Sequence, residues 1–210
     1  MTQVFRPLVF AFCILLALST SIYAKMRMNE GIVSTSSLPA PIVSKNIVRL
    51  NVPHIRQKPW LCVPTSSAMI LGYFGEKHDP RKLKAAAENH KPKSQHNAKF
   101  TLYRDMLHGL RSIGKRWQLG NYPNNQAGFK RGFAAIKRSL RAGNPVMVDV
   151  HLGGGHTFVV MGYNETEKLV YIRDPDISRS RSRALSYSAF ERHWNNHRLH
   201  NSRSAVFARR

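Results

Sequence analysis

Cysteine is nearly missing from this chain: there are two in 210 residues, Cys13 and Cys62. Paired Cys/His zinc fingers are thereby excluded, as is a stapled framework of several disulfides. Carboxylates are scarce too, eleven against 33 lysines and arginines, for a formal charge of +22. No phosphate-cradling glycine loop is present, because the GGG of residues 153–155 is followed by His156 and Thr157 rather than Lys-Ser/Thr. There is no internal repeat, no aromatic-rich single-strand signature, and no apolar run long enough to span a bilayer comfortably. What the chain does have is 42% hydrophobic and 10% aromatic residues, enough for one domain with a real core.

Residues 1–24 read as a secretory signal peptide. Arg6 is followed by the apolar run Leu8–Leu18 and by small and polar residues up to Ala24. Its removal would take Cys13 and one of the 33 basic residues, leaving an excess of 21 positive charges and a single thiol, Cys62. The expected location is therefore secreted or periplasmic. A chain this basic is drawn to anionic surfaces such as lipid headgroups or cell-wall polymers. A specific nucleic-acid partner is not expected, nor any cofactor, and the protein is read as a monomer.

Residues 25–47, rich in Ser, Pro and small residues, read as a linker or loosely ordered arm. A domain over 48–210 opens with the short strand VRLNVP. Helices are predicted in PTSSAMILGYFG, in DPRKLKAAAENH with Asp79 as cap, in TLYRDMLHGLRSIG and in GFKRGFAAIKRSLRAGNP. Strands follow: PVMVDVHL, HTFVVMGY and LVYIRD, the last two joined by the turn NETEK. SAFERHW has Ser188 and Glu191 at capping-box spacing, and SAVFA is a candidate closing strand. Helices first and an antiparallel sheet second make the fold class α+β.

An unpaired cysteine in an exported protein points to a reactive thiol or an intermolecular bridge. In QKPWLCVPTSSAM, residues 57–69, Cys62 falls at a helix N-terminus, where unpaired N–H groups and the helix dipole favour a thiolate. The proton acceptor must then come from elsewhere in the fold. His156 opens an apolar strand behind three glycines and is the candidate. His54, His151 and the remaining histidines sit among polar or charged residues and read as solvated. Asp174 ends the strand that pairs by hairpin with that of His156, and is the candidate orienter; Asn164, at the hairpin, is the alternative. Gln57 and the Cys62 backbone N–H are candidate oxyanion donors. His193, His197 and His200 have metal-like spacing but lie among arginines, and they read with the SRSRSR run of residues 178–183 as solvated basic surface. No metal site is predicted.

These same residues carry a resemblance. VPHIRQKPWLCVPTSSAMILGYFG, GNPVMVDV, GGGHTFVVMGYN and VYIRDP resemble the secreted relatives of the double-glycine leader peptidases, bacterial papain-like cysteine peptidases, from about Leu50 to Trp194. The GHTFVVMGYN…DP portion is also similar to phytochelatin synthases. The resemblance implies a papain-like fold and a site of Gln57, Cys62, His156 and Asp174, acting on a peptide or protein substrate through an acyl-enzyme. The family usually has Gly after the cysteine, where this chain has Val63. Two further readings stay open: a peptidase-like binding module without turnover that holds an anionic partner, and a peptidyl transferase.

Overall fold

Pro64 shows why the first helix starts where it does. It occupies the first turn of α1 (Cys62–Tyr73), where its missing N–H deprives no carbonyl of a partner. The computed structural model of the protein describes residues 32–35, 42–152, 155–177, 182–195 and 201–210. The expected signal peptide, Gly153 and Gly154, most of the SRSRSR run, His197 and His200 lie outside these residues.

Three short strands precede α1: β1 (Ile32–Thr35), β2 (Ile42–Val43) and β3 (Ile47–Arg49). β1 and β2 fall inside the stretch expected to be an arm. Their β-branched residues pair with β8 and β3, which a compositional reading of Ser and Pro does not reveal. After α1 come α2 (Pro80–Glu88), α3 (Tyr103–Ser112), β4 (Gln118–Pro123), α4 (Gln126–Arg141), β5 (Val146–Val150), β6 (His156–Asn164), β7 (Leu169–Arg173), β8 (Ser182–Ser186), α5 (Tyr187–His193) and β9 (Ser202–Phe207). The mixed α+β class is as expected. The helix stops behave as anticipated, with Gly114 and Gly143 at φ of 82° and 77°. Asp79 caps α2 by accepting from the Arg81 N–H at 2.7 Å. At α5 the cap is Ser186 rather than Ser188: its hydroxyl accepts from the Ala189 N–H at 3.1 Å.

The strands form one sheet in the order β1-β8-β7-β6-β5-β9-β4, with β3 also paired to β6 and every pairing antiparallel. α1 packs against β6 and α2, while α4 lies against β4 and β9. α1 is buried from Val63 to Leu71, so it is a core helix, apolar nearly all round rather than on one stripe. Two of its buried hydroxyls are hydrogen-bonded: Ser67 donates to the Val63 carbonyl at 3.0 Å, and Ser66 to the Thr157 carbonyl at 3.3 Å, whereas the Thr65 hydroxyl has no partner among the described residues. The Ser66 bond ties the helix that begins at Cys62 to the start of β6.

β6 is pressed between neighbours so closely that Gly162 has no room for a side chain. A Cβ there would stand 2.2 Å from the Val48 carbonyl oxygen on β3. Gly162→Ala is expected to lower stability by about 2–4 kcal/mol by forcing β3 off the sheet. A urea unfolding midpoint equal to that of the unmodified protein would contradict this.

Candidate active site

The hairpin β6–β7 brings two residues eighteen positions apart to one end of the sheet. Val159 pairs with Arg173, so His156 at the start of β6 and Asp174 just past β7 share an edge. His156 Nε2 lies 2.7 Å from Asp174 Oδ1. A buried carboxylate can only accept there, so the imidazole proton sits on Nε2 and Nδ1 faces the remaining partner. The Cys62 side chain is the other group that interacts with this ring. Burial works against charge on His156, yet the bonds to Asp174 and Cys62 outweigh it and raise its pKa from 6.5 to about 10.

Asp174 is 6% exposed. Its Oδ1 also accepts from the Asp176 N–H at 2.9 Å, and Oδ2 lies 3.8 Å from the Arg183 guanidinium. Burial pushes its carboxyl upward, but the bond from His156 and the lesser interactions hold it below the usual value. Asn164, the alternative orienter, is excluded. It sits at the opposite end of β6, roughly 26 Å along the strand from His156, where its Oδ1 accepts from the N–H groups of Thr166 and Glu167 to close the turn.

Gln57 is bound to the loop after β7. Its backbone N–H donates to the Pro175 carbonyl at 2.8 Å, and its Nε2 to Asp176 Oδ1 at 3.1 Å. Its Oε1 is buried without a hydrogen-bond partner among the described residues. The amide thus staples the segment before Cys62 to the segment that carries Asp174. Val63, which replaces the family's usual glycine, points into the core and is 6% exposed.

Several histidines expected to be solvated are half-buried, His54, His151 and His193 among them. His54 Nε2 reaches the Asp174 carbonyl oxygen at 3.2 Å, and burial lowers its pKa, so it is a neutral donor propping the Asp174 backbone. His151 is half-buried, its backbone N–H donating to the His193 carbonyl at 2.9 Å; His193 is half-buried too, and burial lowers its pKa. Polar neighbours in sequence did not foretell these contacts because the partners come from distant segments, the loop after β7 and the end of α5. Among the described residues, no group of three or more His, Cys, Asp and Glu is placed to hold a metal.

Tyr103, which no motif singles out, opens α3. Its hydroxyl lies 3.2 Å from Thr157 Oγ1, next to His156. Burial, joined by the negative charge of Asp149, pushes its pKa well above the usual phenol range. A helix-start tyrosine carries no sequence signal for this role.

A thiol at a helix start, an imidazole beside it and a buried carboxylate behind the imidazole define a cysteine peptidase of papain-like fold. The Peptidase_C39 like family model matches residues 49–200, and the chain belongs to that family. Among solved structures, it is similar to the peptidase domain of Streptococcus ComA, described as a bi-functional ABC transporter involved in a quorum sensing pathway. That match has a TM-score of 0.52 at 18% identity and covers 76% of this chain and all of that domain. UfSP from C. elegans is similar at a TM-score of 0.53 and 12% identity, covering 87% of this chain and 38% of the other. At these identities the likeness is one of fold. No curated protein sequence matches the chain.

Proposed function

We propose that this protein is an exported cysteine peptidase that hydrolyses peptide bonds with Cys62 as nucleophile. The 2.7 Å bond from His156 Nε2 to Asp174 is the observation that carries the reading, because it leaves Nδ1 to take the thiol proton. In the first step the sulfur, its proton held on Nδ1, adds to the scissile carbonyl carbon. The oxyanion is met by the backbone N–H of Cys62, which has no acceptor within its own helix. Gln57 supplies the second donor once its amide leaves Asp176. The imidazolium then protonates the departing amine, the C–N bond breaks, and a thioester joins Cys62 to the acyl portion. Water, deprotonated by the same imidazole, attacks the thioester and restores the thiol. Export is inferred from residues 1–24. Attraction to anionic surfaces is inferred from the charge of +22.

The reading is tested by incubating the purified protein with a diverse peptide set and locating new termini by mass spectrometry. Cleavage is expected, and its absence would defeat the proposal. In the same assay Gln57→Ala is expected to lower kcat roughly 10- to 100-fold with little change in KM, as for an oxyanion donor used mainly in the transition state. A rise in KM alone would assign Gln57 to substrate binding instead.

A further inference from the structure

The nucleophile is flanked by apolar side chains that face solvent. Trp60, two residues before Cys62, is 50% exposed, while Phe100 and Leu102, just before Tyr103, are 52% and 45% exposed. The Trp60 and Phe100 rings meet edge-to-face with centroids 5.3 Å apart, so the two segments form one continuous rim. Single exposed apolar residues are commonplace, but contiguous aromatic surface beside a reactive centre is where ligands bind.

The backbone under the rim is held in a demanding shape. Residues 58–61 form a turn closed by the Leu61 N–H on the Lys58 carbonyl at 3.2 Å, with Trp60 in its third position at φ 67°. That position ordinarily takes Gly or Asn, and a bulky residue there is strained. Such strain persists where the side chain has a use. Across the rim, the loop before Phe100 is fixed as well: the Asn97 N–H donates to Glu88 Oε2 at 3.0 Å and Lys84 Nζ to the Ala98 carbonyl at 2.6 Å. The ordering of this surface is therefore complete before a ligand arrives. Lys99 Nζ sits 3.9 Å from the Trp60 ring centroid, and no carboxylate lies within 4 Å of it among the described residues.

We propose that Trp60, Phe100 and Leu102 receive a bulky apolar side chain of the peptide substrate, and that Lys99 receives an acidic residue adjoining it. The inference rests on Cys62 being the nucleophile, which places the rim beside the bond to be cut. It assigns the substrate class as peptides carrying an apolar residue next to an acidic one.

The test uses full-length Cys62→Ala protein, which binds peptides without cutting them, and fluorescence anisotropy of labelled Gly/Ser nonapeptides. Their centres are Glu-Phe-Glu, Glu-Ala-Glu, Lys-Phe-Lys or Lys-Ala-Lys. The Phe peptides are expected to bind about tenfold more tightly than their Ala partners. Trp60→Gly, which suits the turn and preserves the fold, and Phe100→Ala should each erase that difference. Lys99→Glu should shrink or reverse the preference for Glu flanks, whereas Lys130→Glu on the exposed face of α4 should leave it in place. Equal binding of Phe and Ala peptides, or a Phe preference that survives Trp60→Gly, overturns the proposal. With the unmodified enzyme, absence of cleavage alongside an intact binding preference defeats the peptidase reading alone. Cleavage indifferent to Phe defeats the rim alone.

Discussion

Cys62→Ala is expected to abolish peptide cleavage, lowering kcat/KM by at least ~10³-fold, while the protein stays folded. The asymmetry follows from where the sulfur lies. Cys62 is only partly buried and packs at the border of the core, so replacing sulfur by hydrogen removes few contacts. No other residue of the chain is a thiol once Cys13 is set aside, so nothing can substitute for it in forming a thioester. Steady-state kinetics together with a melting curve check both halves. Loss of activity with a collapsed melting temperature, or retained cleavage, would contradict the assignment. Alkylation by iodoacetamide offers an independent view: His156→Ala should slow labelling of Cys62, because the base that takes the thiol proton is gone.

Asp174→Asn should reduce kcat by roughly 10²–10⁴-fold with KM little altered, through loss of the tautomer rather than loss of binding. An amide can offer its N–H₂ to Nε2, which moves the ring proton to Nδ1 and turns the lone pair away from Cys62. The same substitution should change how stability depends on pH. The folded pKa of His156, about 10, lies above its ordinary value of 6.5. Its contribution, on the order of a few kcal/mol, is fully present below pH 6.5 and is lost as pH rises from 6.5 towards 10. Asp174 has the opposite sign: its folded pKa is depressed, so its contribution is present above the ordinary carboxylate pKa and lost as pH falls through the lowered one. Unfolding free energies of the unmodified protein should therefore decline on both sides of neutrality. Asp174→Asn should flatten the alkaline decline; an unchanged slope between pH 6.5 and 10 would show that the carboxylate does not hold the imidazolium.

Much of the helical half was legible along the chain. Asp79-Pro80, Gly114 and Gly143 are punctuation whose effect is complete within one turn, so neighbours in sequence suffice to read them. β5, β6 and β7 were legible as runs of β-branched and aromatic residues. β4 was not: QLGNYP contains Gly and Pro and is mostly exposed, and it is a strand only because β9 pairs with it along its length. β1 and β8 depend on each other in the same way.

By itself, the sequence determined the one thiol of the domain, its place at a helix start, and the two strands whose hairpin carries His156 and Asp174, since propensity, capping and alternation act over a few residues. Only the tertiary structure decided which histidines are solvated, that Gln57 rests on Asp176, that Asn164 is out of reach, that Tyr103 reaches Thr157, and that Trp60 meets Phe100. Those relations join side chains tens of residues apart, and their distances are set by how α1, α3 and the sheet pack, which no local pattern encodes.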